Sequence, residues 1–80
     1  MKKIVNGIWY DTGAARMLST YYFFLDKIPV EESAYQMPDG ACFIVRRING
    51  SETALLPIAA EDIPRWKKYR SQFITQLWLG

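Results

Sequence analysis

Apolar and polar residues alternate along this chain with a period that changes several times, and each change marks an element. Ile4-Val5, Asn6-Gly7 and Ile8-Trp9-Tyr10 place a turn dipeptide between two short β-forming runs. Asn-Gly tolerates the left-handed backbone that a two-residue turn requires, so residues 2–11 predict a short N-terminal β-hairpin. Arms this short are not stable alone and must pack on something. Asp11-Thr12 then reads as an N-cap pair ahead of Gly13-Ala14-Ala15. Ala14, Met17, Leu18, Tyr21 and Leu25 share one face at helical spacing, which predicts a helix running to about Leu25. Phe23 falls on the opposite side of that helix. Either the helix stops before it, or Phe23 is exposed. Pro29 pushes Ile28 into an extended conformation, so Asp26 to Val30 is expected to be a connection.

From Glu31 to Ile58 the period shortens to two. Pro38-Asp39-Gly40 and Asn49-Gly50 are both turn signals, and they divide the stretch into strands at about Ser33–Met37, Ala41–Ile48 and Thr53–Ile58. This is a three-stranded antiparallel meander. On its central strand Cys42, Ile44, Arg46 and Ile48 share one face, and Phe43, Val45 and Arg47 the other. Both faces begin apolar, so the first half of the strand is expected to be covered on both sides, with the arginines emerging toward the Asn49-Gly50 turn. Pro57 cannot donate to a ladder, which puts the third strand at an edge or ends it there.

The last segment returns to helical spacing. Glu61 and Asp62 suit a first helical turn and Pro64 is tolerated there, which predicts a helix from about Glu61 to Leu79. Ile63, Trp66, Tyr69, Phe73, Ile74, Leu77 and Trp78 form its apolar arc, facing away from Arg65, Lys68, Gln72, Thr75 and Gln76. Lys67 and Arg70 project into the apolar arc, Arg70 near its centre. The expected architecture is a single α+β domain spanning residues 1–80: a short N-terminal β-hairpin, a helix, a three-stranded antiparallel meander and a C-terminal helix, with the helices packed on one face of the sheet.

Composition sharpens this picture in one respect. Twelve aromatic residues in an 80-residue chain are too many for one small core, so some are expected at the surface or at an interface. The net charge of +2, without a long run of like charge, permits nucleic-acid binding only weakly. One cysteine excludes an internal disulfide framework and fits a reducing cytoplasm. No stretch has the roughly 18–20 apolar residues that a helical membrane span needs. The short apolar run after Met1-Lys2-Lys3 does not make a signal-peptide core.

Catalytic chemistry finds little to work with. The chain contains no histidine, which removes the commonest general base and metal ligand. Cys42 lies within an apolar strand and reads as a core residue. Glu31 and Glu32 are adjacent on an extended chain, so they point to opposite sides and read as solvated loop charges. No glycine-rich loop leads into a helix, so nucleotide phosphates have no cradle. The expectation is a protein that is not an enzyme and uses no cofactor or metal.

Two basic groups remain: Arg46-Arg47 on the central strand, and Arg65, Lys67, Lys68 and Arg70 on the last helix. One reading is a solvated helix face, with Lys67 and Arg70 laying their stems on the core. The other is a contact surface, since arginine binds carboxylates and phosphates in bidentate fashion and aromatics with arginine make interface hot spots. The candidate partner-binding residues are therefore Arg46, Arg47, Arg65, Lys67, Lys68, Arg70, Trp9, Phe23 and Trp78, beside Trp66 and the Tyr21-Tyr22 pair.

Met1-Lys2-Lys3-Ile4-Val5-Asn6-Gly7, followed by Tyr10-Asp11-Thr12 and Ala14-Ala15, resembles the opening of a group of small phage and mobile-element proteins of Gram-positive bacteria. Glu31-Glu32-Ser33-Ala34-Tyr35, Asp39-Gly40-Ala41-Cys42-Phe43-Ile44 and Leu56-Pro57-Ile58 resemble later segments of the same group. The stretch Tyr21–Leu25 with Lys27 to Val30 departs from that group's glycine-rich loop, so nothing carries over from the loop. Such proteins include inhibitors of host defence, among them anti-CRISPR proteins that bind a Cas effector without catalysis. The resemblance thus implies a host protein complex as partner, in the cytoplasm of a bacterial cell. A small basic nucleic-acid-binding protein and a homodimeric structural module are the alternatives.

Overall fold

Four pairs of neighbouring strands, three of them joined by two-residue turns, make up most of the structure, a computed structural model that describes residues 2–70. Asn6 and Gly7 take φ of 52° and 77°, the left-handed pair of a type I′ turn. They join β1 (Lys2–Val5) to β2 (Ile8–Asp11), as the dipeptide predicts. Asn49 and Gly50, at 53° and 83°, do the same between β5 (Cys42–Ile48) and β6 (Ser51–Ile58). The wider turn at Pro38-Asp39-Gly40 closes through the Gly40 N–H to the Met37 carbonyl at 2.9 Å, and the Ala41 N–H to Asp39 Oδ1 at 3.0 Å.

The expected first helix is not a helix. Residues Arg16–Leu25 form β3, a ten-residue strand, which pairs antiparallel with β4 (Ile28–Gln36) from Leu25↔Ile28 back to Arg16↔Gln36. Asp11 carries a helix-cap signature, and its Oδ1 does accept the Gly13 N–H at 2.8 Å, but the chain turns there and leaves extended. Two physical facts outweigh the apolar stripe. Ser-Thr-Tyr-Tyr-Phe-Phe at 19–24 is a run of β-branched, aromatic and hydroxyl residues, poor in helices and good on a pleated surface. Asp26 and Lys27 adopt φ of 52° and 69°, so a type I′ turn forms with no glycine to announce it. The expected connection at 26–30 is therefore a turn plus the start of β4. Pro29 is tolerated within β4 because its ring nitrogen falls opposite Phe24 in a pair that exchanges no hydrogen bond; its carbonyl accepts the Asn49 N–H at 2.8 Å.

The larger sheet runs β3-β4-β5-β6, a four-stranded antiparallel meander, with the β1-β2 ribbon as a second sheet. The α+β arrangement with two helices on one face is thereby corrected: the described residues are mostly antiparallel sheet, and the one helical segment among them starts with a 3₁₀ turn at Ala60–Asp62 and continues over 63–70. Glu61 and Asp62 lie in that first turn as expected. The part of the expected helix beyond residue 70, including Phe73, Leu77 and Trp78, lies outside the described residues.

Each face of the meander has its own cover. Tyr10 of the ribbon packs with Tyr35, Phe43, Val45 and Leu55 on one side. Phe43 stacks on Tyr35 at 5.4 Å between ring centroids and meets Tyr10 at 5.3 Å, tilted. On the other side Ile63 and Trp66 close over Ala34, Cys42 and Ile44. Cys42 to Val45 are consequently all buried, and Arg46 and Arg47 emerge at the end of the strand as the alternation predicts.

The Asp26-Lys27 turn yields a stability prediction. A non-glycine residue in the left-handed region costs about 1–2 kcal/mol, partly offset by the extra unfolded freedom of glycine. Lys27→Gly is expected to stabilise the protein by about 1 kcal/mol, seen as a melting midpoint raised by roughly 4–8 °C. An unchanged or lower midpoint would show that the turn is not under conformational strain.

Candidate functional site

The central polar feature arises from strand register. β4 and β5 pair with Glu31 opposite Arg47 and Glu32 opposite Arg46. Alternation then sends the two ion pairs to opposite faces of the sheet. Glu31 accepts from Arg47 Nη1 at 3.1 Å, and Arg47 Nη2 also reaches Glu52 Oε1 at 3.2 Å. This network is partly exposed, and the Glu31 carboxylate pushes the adjacent Tyr22 phenol above its usual range.

Glu32 is only 2% exposed and lies beneath the helix. Its Oε2 accepts from Arg46 Nε at 3.0 Å and from Arg70 Nη2 at 2.6 Å, while Oε1 accepts from Arg70 Nε at 2.8 Å and Trp66 Nε1 at 3.2 Å. Arg70 therefore grips both oxygens, the bidentate geometry that makes guanidinium–carboxylate pairs strong. Its guanidinium also lies 5.0 Å from the Phe23 ring centroid and 5.2 Å from that of Tyr69. Trp66 meets Tyr21 edge-on at 5.3 Å. Burial alone would raise the Glu32 pKa, but the hydrogen bonds from Trp66 and Arg46 and the nearby Arg70 charge outweigh it and hold the carboxyl below its usual value.

This cluster is a fastener rather than a reaction centre. Both Glu32 oxygens are occupied, and a carboxylate held ionised by two guanidiniums is a poor general base. Among the described residues no group of histidine, cysteine or carboxylate side chains could hold a metal. Cys42 is buried, with its thiol 3.5 Å from the Gly40 carbonyl. No buried side-chain nitrogen or oxygen among the described residues lacks a partner. No helix there is long and apolar enough to cross a membrane.

The nine candidate residues are not one surface. Arg46, Arg47 and Arg70 are tied to carboxylates, and Phe23 is buried under Arg70. Arg65 stands out in solvent, 4.0 Å from Asp62, and Lys67 and Lys68 are exposed beside it. Trp78 lies outside the described residues. Trp9 is 51% exposed on the outer face of the ribbon, opposite Ile4, which is 60% exposed. Glu32 and Glu31, read from the sequence as solvated charges, are instead the residues that organise the arginines. A signal was present: the glutamate pair and the arginine pair stand at equal distances on either side of Asp39, where a hairpin centred on the Pro-Asp-Gly turn must bring them together.

Comparison with family models, with curated proteins and with solved structures finds no match to the chain.

Removing one partner of a buried ion pair costs about 3–5 kcal/mol, a large part of the stability of a small domain. Glu32→Gln strands two guanidiniums and is expected to cost that much in urea unfolding at neutral pH. The folded carboxyl titrates below the unfolded one, so its stabilisation is complete above the ordinary value of 4.5 and is lost as pH falls through the lower folded value. Acid should therefore weaken the wild type more steeply than Glu32→Gln. Parallel pH profiles for the two proteins would contradict this role.

Proposed function

We propose that this protein acts by attachment, as a non-enzymatic module that binds a host protein complex. The resemblance of its opening segment points to a Cas effector as the partner class, and to the cytoplasm of a bacterial cell as the setting. The observation that carries the proposal is Trp9. The core uses its neighbour Tyr10, whereas Trp9 and the cross-strand Ile4 form an apolar pair facing solvent. An exposed tryptophan on a ribbon braced from beneath is a rigid anchor of the kind interface hot spots use. Lys2 and Asp11 share that outer face by alternation and supply a polar rim. The reading as a basic nucleic-acid binder is weakened because three of its six cations are already paired with glutamates.

Capture of purified Cas effectors by the wild-type chain, compared with Trp9→Ala, tests the proposal. Loss of a hot spot of about 2 kcal/mol corresponds to roughly 30-fold weaker binding. Far-UV circular dichroism of the variant should stay native, since Trp9 lies outside both core clusters. Equal binding by Trp9→Ala would remove the ribbon from the interface, and failure of every effector to bind would remove the partner class.

A further inference from the structure

The helix leads toward a groove. Ile63 packs with Ala34, Cys42 and Ile44, and Arg70 lies over Glu32 and Phe23. Successive turns therefore advance along β4 and β5 toward the Asp26-Lys27 and Asn49-Gly50 turns. Beyond Glu32 this face continues as a groove of about 290 Å³, floored by Phe23, Leu25, Val30 and Ile48, with Tyr69 and Arg70 as its near wall. Its far corner is the cross-strand pair of Leu25 and Ile28, 48% and 45% exposed. The charged groups at its mouth, Glu32, Arg46 and Arg70, hold one another, so what the groove offers an occupant is apolar surface. The helical residues that meet the sheet are Ile63, Trp66 and Arg70, three and then four positions apart. The same alternation next reaches Phe73 and Leu77, the spacing of a packed helical stripe.

We infer that the segment following Arg70, residues 71–80, occupies this groove, with Phe73 and Leu77 seated against Leu25, Ile28 and Ile48. The reach agrees. At 1.5 Å per helical residue, Phe73 and Leu77 fall about 5 and 10 Å past Arg70, and the sheet from Glu32 to Ile28 extends about 13 Å. The chemistry agrees as well, since residues 71–80 carry no charged side chain and include Phe73, Ile74, Leu77 and Trp78. Attachment selects this occupant over a separate molecule: a segment tethered at the wall of the groove acts at an effective concentration in the millimolar range. The groove is then closed to other molecules by the chain itself. It lies on the helix face of the sheet, whereas the ribbon that carries Trp9 covers the other face, so the two inferences succeed or fail independently.

Amide hydrogen exchange on the full chain tests the inference. A short helix without tertiary contacts is marginal in water, so slow exchange within residues 71–80 reports docking. The expected result is protection of that segment at every protein concentration. Leu25→Asp, at an exposed position of the groove, and Leu77→Asp should each speed its exchange at least about tenfold. The amides of β4 and β5 should stay protected in both variants, which separates undocking from unfolding. Thr75→Asp, on the opposite side of the apolar arc, should change nothing. Fast exchange of residues 71–80 in the wild type overturns the inference, and so does protection that survives both Leu25→Asp and Leu77→Asp. Protection that is lost on dilution overturns it too, because a second copy then fills the groove.

Discussion

One buried carboxylate holds the parts of this protein together. Glu32 comes from β4, Arg46 from β5, and Trp66 and Arg70 from the helix, and all converge on its two oxygens. The helix has few other ways to stay docked: among the described residues only Ile63 and Trp66 press it onto the core cluster of that face. A carboxylate in that place would be costly alone. It is tolerable because four donors reach it, and those donors in turn have positions fixed by the sheet register and by helical spacing. Electrostatics here acts as a locator, setting where along the sheet the helix must lie.

On the other face the work is done by rings. Phe43 lies between Tyr35 and Tyr10, so the β1-β2 ribbon, too short to be stable alone, borrows its order from the sheet. Val5 and Ala15 pack at the margin of the same cluster. The two covers are thus chemically different, one aromatic and one ionic. Losing either would expose one side of β5, whose residues Cys42 to Val45 are buried from both directions.

Much of this was written in the chain. Asn6-Gly7, Pro38-Asp39-Gly40 and Asn49-Gly50 each mark a turn that the structure contains, and the alternation of Cys42 to Ile48 assigned its faces correctly. The error lay in β3. Its apolar residues suit a helical stripe as well as a pleat, and the turn that decides between them, Asp26-Lys27, has no glycine to reveal its left-handed backbone. Once that turn is missed, Pro29 looks like a terminator instead of a strand residue, and Glu31-Glu32 looks like a loop. Arg70 was identifiable as an oddity at the centre of an apolar arc. Its reason became visible only when the extra strand carried Glu32 beneath the helix.

The glutamate–arginine pairings also bear on how the molecule meets salt water. Glu31, Glu32 and Glu52 hold Arg46, Arg47 and Arg70, so a sizeable part of the formal charge is balanced at contact distance. Ions in solution screen separated charges far more than buried partners in contact. What remains outside combines separated charges, among them Lys2, Lys3, Arg16, Asp26, Lys27, Arg65, Lys67 and Lys68, with exposed rings at Trp9, Tyr22 and Phe24. Added salt therefore acts on those separated surface charges, while the paired glutamates and arginines and the contacts that the rings can make are far less sensitive to it.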